Sequence, residues 1–232
     1  MNNGYYAVAL DKKSCDVVKR NATMDVVVGD HITLAYKLDN KIFNKLNKLI
    51  DKYPTNFYLL ETEPHIKLYM TPINIDPDKP ALPISHPFTY SIYLSKTQGR
   101  YATLGLAEDT SALNEDVIDE DAFLKQTYLI HDERERMFFD AIDKTKRGAV
   151  VCVFDITDRL QHMFFRHLDE RHPANRGRDD THKDAIRKLY IEMDELVGRT
   201  MAATGDDTAL FVMSDHGFKP FRRGVNLNTW LY

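Results

Sequence analysis

Two short stretches of the sequence each place an acidic side chain near a histidine, a combination that binds divalent metal ions. Asp158 and His162 are four residues apart, so on a helix they lie on one face, one turn from each other. Asp215 and His216 are adjacent, and Gly217 permits the tight turn that directs both side chains toward one site. Oxygen and nitrogen donors of this kind suit zinc or a similar ion. The residue types therefore predict two metal-binding couples.

Each couple also has a purely structural interpretation. Asp158 is suited to capping the start of a helix, with His162 as a satisfied surface or core histidine. Asp215 and His216 are equally suited to a polar turn in which a strand passes into a loop. Taken one motif at a time, the sequence leaves both interpretations open.

Both couples follow an apolar run that predicts a buried strand. The first run is 149–154 (AVVCVF) and the second is 209–213 (ALFVM). Helices are predicted before them, over 119–146 and 184–203, from their apolar stripes. The order helix, strand, helix, strand indicates an α/β core with a parallel sheet. Because ligands bind at the carboxyl ends of such strands, we expect the two couples to share one crevice.

The first 71 residues have a different pattern, in which short β-rich runs alternate with turn residues and one amphipathic helix is predicted over 41–52. Such spacing is typical of an antiparallel sheet or sandwich. The predicted strands are 5–10, 15–19, 23–28, 31–38, 56–60 and 66–71. A proline-punctuated segment, 72–87, follows and is predicted to be an ordered connector. The predicted fold class is therefore α/β, with a β-rich accessory region at 1–71 and an incomplete α/β metal-binding core at 72–232.

Composition excludes several classes of protein. The 232 residues include 31 Lys and Arg against 35 Asp and Glu, and a net charge of −4 lacks the basic footprint of a protein that binds nucleic-acid duplexes. No apolar run approaches the roughly 20 residues of a membrane span, so no membrane partner is expected. Cys15 and Cys152 are far apart in sequence, which predicts two reduced thiols and a cytoplasmic location.

Taken together, the two motifs resemble those of a known enzyme superfamily. Residues 214–218 (SDHGF), after an apolar run, are similar to the Ser-Asp-His-Gly metal motif of the alkaline phosphatase superfamily. Asp158 and His162 match the Asp-x-x-x-His element of its type I phosphodiesterase/nucleotide pyrophosphatase family. The flanking segments 72–77, 101–114, 164–166 and 226–231 are also similar to prokaryotic members. The resemblance implies an alkaline-phosphatase-like core, in which helices flank part of a parallel sheet.

The resemblance also implies an activity, that of a metal-dependent phosphohydrolase acting on phosphodiesters or nucleotide pyrophosphates. Asp158 and His162 would hold one divalent ion, and Asp215 and His216 a second, so that two ions clamp the phosphoryl group. The ions would be zinc, with manganese as the alternative. The substrate would be a phosphate ester or a nucleotide, and a nucleophilic Thr or Ser would form a covalent phosphoenzyme.

The chain departs from the family pattern at both ends. The family's opening strand, with its Asp ligand and nucleophile, has no counterpart before the β-rich region, and the chain stops 16 residues after His216. We therefore expect a partial chain with four of the six side-chain ligands, a catalytic nucleophile outside it and no full two-metal catalysis on its own. Two alternatives stay open: a phosphomutase or sulfatase on the same core, and a non-catalytic fragment that keeps half the metal ligands and binds metal weakly or only interacts with other chains. Cut sheet edges and unpaired core surface would favour self-association of such a fragment.

Several further polar residues have both a functional and a structural interpretation. Arg222 and Arg223 would steer a phosphate or lie on the surface. Asp155 would orient a metal ligand or cap a helix. Three histidines would supplement a metal site or lie in a solvated polar segment: His167, His172 and His182.

Overall fold

The structure is a computed structural model, and it describes residues 8–10, 31–32, 57–61, 66–176 and 181–232 of the chain. The strands predicted over 15–19 and 23–28 and the helix predicted over 41–52 lie outside these residues. Contacts between Cα atoms divide the chain into two compact units, Met1–Met137 and Phe138–Tyr232. The boundary predicted between the β-rich region and the α/β core, at residues 71 and 72, stays a prediction.

The first unit carries a four-stranded antiparallel sheet with the strand order β1-β4-β3-β2. Its strands are β1 (Val8–Leu10), β2 (His31–Ile32), β3 (Phe57–Glu61) and β4 (Ile66–Met70). Tyr58 on β3 lies opposite Tyr69 on β4; both are buried, with ring centroids 6.1 Å apart. Such cross-strand aromatic pairs stabilise a sheet. β3 and β4 confirm the strands predicted over 56–60 and 66–71.

The proline-rich connector is held in place by hydrogen bonds to a later segment of the first unit. The side-chain oxygen of Asn74 accepts from the backbone N–H groups of Thr103 at 2.8 Å and Leu104 at 3.3 Å. The Thr103 hydroxyl donates to the Ile75 carbonyl at 2.9 Å. These contacts confirm that the connector is ordered. The helices α1 (Thr89–Gln98) and α2 (Thr110–Asn114) follow it.

The long helix α3 covers Glu120–Lys144, close to the predicted 119–146. Its first turn contains two acidic residues, which the positive end of the helix dipole favours. The side chain of Asp119 accepts from the Ala122 backbone N–H at 2.7 Å and so satisfies one free donor of that turn. Phe123, Thr127 and Ile130 are buried, which confirms the first half of the predicted apolar face.

The second unit is built around two packed helices, α4 (Ile156–Phe164) and α5 (Ala185–Thr204). The buried apolar positions of α4 are Ile156, Leu160 and Phe164, which recur every four residues and form one stripe. Helix α5 confirms the prediction over 184–203 and buries Ile186, Leu189, Leu196 and Thr200. Two short 3-10 helices, Phe165–Leu168 and Pro173–Asn175, follow α4, and α6 (Leu227–Leu231) lies near the end of the chain.

The two apolar runs predicted as buried strands are extended chain in the second unit. Within its described residues neither 149–154 nor 209–213 pairs with a strand. The second run is therefore exposed throughout, with 86% of Met213 accessible, whereas in the first run exposed residues such as Val151, 86% accessible, alternate with half-buried ones. An apolar run is buried on both faces only when strands pair with it and helices cover it. The parallel sheet of the predicted α/β fold accordingly stays a prediction.

In the part of the chain that the structure describes, no helix is both long and apolar enough to span a membrane.

Candidate functional site

Helix α4 sets the orientation of the first couple. Because its apolar stripe is buried, the side chains between the stripe positions lie on the partly exposed side, with 32% of Asp158 and 55% of His162 accessible. The Nε2 atom of His162 lies 3.2 Å from Oδ1 of Asp158. The predicted contact between residues four apart on one helical face is confirmed.

A compact turn at 214–217 sets the orientation of the second couple. The Ser214 hydroxyl donates to the His216 carbonyl at 2.7 Å, and the His216 backbone N–H donates to Oδ1 of Asp215 at 2.9 Å. The Nδ1 atom of His216 lies 3.2 Å from the carbonyl oxygen of Gly217. Because a carbonyl oxygen only accepts, Nδ1 is the donor in this contact, and in the neutral ring Nε2 then keeps its lone pair. The ring is therefore oriented with a metal-binding nitrogen free of the backbone.

Asp158 joins the two couples into one cluster. Its Oδ1 atom lies 3.2 Å from Nε2 of His162 and 3.8 Å from Nε2 of His216. The Nε2 atom of His216 is also 3.6 Å from Oδ2 of Asp215. The other oxygen of Asp158, Oδ2, accepts from the Arg159 guanidinium at 2.8 Å. The structure therefore brings together the four residues that the sequence predicts for the site.

The distances between these oxygen and nitrogen atoms are close to those between the ligands of one metal ion. Ligands of a tetrahedral zinc, each 2.0–2.2 Å from the ion, lie about 3.4 Å from one another. The separations of 3.2, 3.6 and 3.8 Å bracket that distance. Among the residues that the structure describes, no three His, Cys, Asp or Glu side chains are already arranged as the ligands of an ion. The donor set thus fits a divalent ion in chemistry and spacing without being a preformed centre.

Phe218 packs against the cluster, a role that the sequence analysis missed. Its ring centroid lies 4.9 Å from that of His162 and 5.2 Å from that of His216. It also stacks on Phe165, at 6.0 Å with 28° between the ring planes. One aromatic ring thereby restricts both imidazoles. The available signal was an aromatic residue two positions after each motif histidine, since Phe164 follows His162 and Phe218 follows His216 at that spacing.

Two of the other predicted candidates have a structural role. Arg222, considered for steering a phosphate, forms a two-pronged ion pair with Asp169, from Nε at 2.5 Å and from Nη2 at 2.9 Å. This hydrogen-bonded guanidinium lowers the pKa of the Asp169 carboxyl. The Nε2 atom of His172 lies 2.8 Å from the carbonyl oxygen of Phe221. Both contacts fasten the segment that follows the second couple.

The remaining candidates lie beside helix α4. His167 stacks on the Phe164 ring with centroids 5.9 Å apart, and His182 meets the same ring edge-on at 5.9 Å. Both histidines therefore contact the core of the second unit. Asp155 directly precedes α4, but its side chain makes no capping hydrogen bond, so the predicted capping role is wrong.

Comparison with known proteins gives one positive result, a match between residues 87–232 and the model of the family described as type I phosphodiesterase / nucleotide pyrophosphatase. Neither a curated protein nor a solved structure gives a match to the chain. The matched segment covers more than half of the chain and includes all four clustered residues. The family is one of hydrolases that act on phosphate esters and nucleotides and generally depend on metal ions. The chain therefore belongs to the type I phosphodiesterase/nucleotide pyrophosphatase family.

Proposed function

We propose that this chain carries part of the two-metal site of a phosphodiesterase or nucleotide pyrophosphatase, with Asp158, His162, Asp215 and His216 as ligands. The observation that carries the proposal is the position of one carboxylate oxygen, Oδ1 of Asp158, within 3.8 Å of both imidazole Nε2 atoms. Asp158 and His162 are assigned to one ion, and Asp215 and His216 to the other. Zinc suits this oxygen and nitrogen donor set, with manganese as the second choice.

The chain's own residues prepare the site in three ways. Arg159 binds one oxygen of Asp158 and so leaves the other directed at the imidazoles. The Gly217 carbonyl favours the neutral tautomer of His216 that has its proton on Nδ1, which leaves the Nε2 lone pair for a ligand bond. The side chains of His162 and His216 are about half exposed, so a phosphate ester can reach them from solvent. When bound, a divalent ion stabilises the negative charge that develops on the phosphate oxygens during hydrolysis.

The remaining parts of the proposal concern fold, nucleophile and compartment. The α/β core with a parallel sheet is proposed on the strength of the family match and the two apolar runs. We assign the nucleophile to no residue of this chain. A reducing compartment such as the cytoplasm is proposed from the two widely separated cysteines.

The proposal is tested first by metal binding and then by turnover. Isothermal titration with zinc is expected to show binding by the unaltered chain and a loss of about a hundredfold in affinity for His216→Ala. His86→Ala is the control, because His86 is exposed and lies outside the cluster. Hydrolysis of bis(p-nitrophenyl) phosphate, with added zinc or manganese, is then measured on the same proteins.

The outcomes separate the proposal from its alternatives. If His216→Ala and His86→Ala bind zinc with equal affinity, the ion binds elsewhere and the ligand assignment is overturned. Turnover that requires His216 but not His86 would support a catalytic chain. Zinc binding at the cluster without turnover would support the ligand assignment and show that the chain alone lacks the nucleophile.

A further inference from the structure

The second couple is part of a segment with no regular secondary structure of its own. Residues 214–223 contain neither helix nor strand, and nearly all of them are exposed. Local hydrogen bonds fix the turn at 214–217, but they cannot fix where the turn lies relative to Asp158. That position requires contacts to residues far away in the sequence.

The packing of Phe218 on His162 and Phe165 is one such contact, and two polar ones lie a few residues further on. The Arg222 guanidinium grips both carboxylate oxygens of Asp169, which is 53 residues away, at 2.5 and 2.9 Å. The Nε2 atom of His172 lies 2.8 Å from the carbonyl oxygen of Phe221. A two-pronged pair defines both distance and orientation, because two parallel N–H donors face two oxygens.

Asp169 is itself in a well-braced position. It directly follows the 3-10 helix Phe165–Leu168, which continues from α4, the helix that carries the first couple. The side chain of Asn175 bridges this segment, donating to the carbonyls of Arg166 at 2.9 Å and Asp169 at 3.0 Å. Only 9% of the Asp169 side chain is exposed. The ion pair therefore connects the support of the first couple to the segment that follows the second.

We propose that Asp169 and Arg222 are positioning residues that form a latch, which holds Asp215 and His216 against Asp158 and His162. The latch acts through the backbone of 214–223 and contacts no proposed ligand. It rests on the proposed function in one respect, since affinity for a metal ion is one of its two readouts. When the latch opens, the two couples separate and Oδ1 of Asp158 moves away from Nε2 of His216, so the four donors no longer hold neighbouring ions together.

The test uses the full chain with Arg222→Met, Arg222→Lys, Asp169→Asn and the double variant Asp169→Asn/Arg222→Met. Arg223→Met is the matched control, because Arg223 is the exposed neighbour of Arg222. The first readout, in metal-free protein, is the nuclear Overhauser contact between the rings of Phe218 and His162. The second is the zinc dissociation constant from calorimetry. Circular dichroism and thermal unfolding establish that each variant is folded.

If the latch is real, Arg222→Met and Asp169→Asn lose the ring contact and bind zinc about tenfold more weakly, as removal of outer-shell partners commonly does. Arg222→Lys keeps the charge but not the two-pronged geometry, so its affinity lies between. The double variant binds no more weakly than the worse single variant, because both remove one interaction. Arg223→Met behaves like the unaltered chain.

Two results would overturn the latch: an unchanged ring contact in folded Arg222→Met, or effects of the two single variants that simply add. A chain that binds no zinc, but loses the ring contact in the latch variants only, would reject the proposed function and retain the latch. Zinc binding that is equal in all folded variants would reject the latch and retain the proposed function.

Discussion

Two aspartates, one in each unit, have opposite surroundings. Asp109 in the first unit is 8% exposed, and each of its two carboxylate oxygens accepts a hydrogen bond. The Tyr69 hydroxyl donates to Oδ2 at 2.5 Å, and the Ala112 backbone N–H donates to Oδ1 at 2.9 Å. Asp158 in the second unit has one oxygen bound to Arg159, whereas the other faces the Nε2 atoms of two imidazoles.

The difference lies in what faces each carboxylate rather than in the residue type. Every oxygen of Asp109 meets an O–H or N–H group, so the network is complete and its role is structural. Oδ1 of Asp158 faces the Nε2 atoms of His162 and His216, and no backbone donor among the described residues satisfies it. When these ring nitrogens are unprotonated, the oxygen and the nitrogens together offer a set of donors to a divalent cation. The surroundings of a carboxylate therefore distinguish a structural role, as for Asp109, from a proposed ligand role, as for Asp158.

The largest expected effect comes from removing the buried carboxylate. Asp109→Ala removes the acceptor to which the Tyr69 hydroxyl and the Ala112 N–H donate in a buried position, which is expected to cost about 4 kcal/mol of unfolding free energy. Asp158→Ala removes a partly exposed ion pair and is expected to cost about 1 kcal/mol or less. Urea titration followed by circular dichroism measures both.

The same pair of variants sharpens the contrast when zinc binding is measured. Asp158→Ala is expected to abolish detectable zinc binding, whereas Asp109→Ala is expected to preserve it under conditions where the protein stays folded. Equal losses of stability in the two variants would show that the surroundings of the two carboxylates do not distinguish their roles.

A smaller effect, dependent on pH, is expected from Glu133 on α3. Burial raises the pKa of this carboxyl to about 7, although the Ala102 backbone N–H donates to it at 2.8 Å. The folded protein therefore holds this proton more tightly than the unfolded chain does, and stability falls as the pH rises from about 4.5 to about 7. The fall is at most about 3 kcal/mol, at roughly 1.4 kcal/mol per pKa unit.

Glu133→Gln keeps the shape and the acceptor oxygen but cannot ionise. Its unfolding free energy is expected to vary less between pH 5 and pH 7 than that of the unaltered chain, at about the scale set by the pKa shift. Glu115→Gln is the control, because Glu115 is exposed. Parallel pH profiles for the unaltered chain and Glu133→Gln would contradict the expectation.

The smallest predicted effect comes from the ring that packs on both imidazoles. Phe218→Ala removes its contacts with His162 and His216 and is expected to weaken zinc binding about fivefold, or about 1 kcal/mol. Phe221→Ala is a matched control, since 78% of Phe221 is exposed and only its backbone carbonyl is used. Calorimetry measures the zinc affinity of both variants. Equal affinities would show that Phe218 does not contribute to metal binding.

The parts of the site that sequence analysis could predict are those set by local geometry. The spacing of Asp158 and His162 fixes their common face once α4 forms, and an apolar residue at every fourth position predicts that helix. The turn at 214–217 follows from Ser214 and Asp215, whose side chains make its hydrogen bonds, whereas Gly217 has no left-handed φ there. The strands β3 and β4 were likewise predictable from β-rich runs between turn residues.

The contacts that were missed join distant parts of the chain. No periodicity links Arg222 to Asp169 across 53 residues, and Arg222 alone is indistinguishable from a phosphate-binding or a surface arginine. Burial of the runs 149–154 and 209–213 depends on strands that pair with them, and the runs themselves carry no information about those partners. Tertiary context decides such features.

The two-sided environment of Asp158 has a consequence for electroneutrality. The guanidinium on one edge offsets one of the two acidic side chains, so Asp158, Asp215 and Arg159 together contribute one negative charge. With both rings uncharged, as nitrogen ligands must be, the two divalent ions of the proposed site leave an excess of three positive charges. A phosphodiester monoanion offsets one of these charges and a dianionic monoester offsets two, so an anionic substrate is attracted in either case.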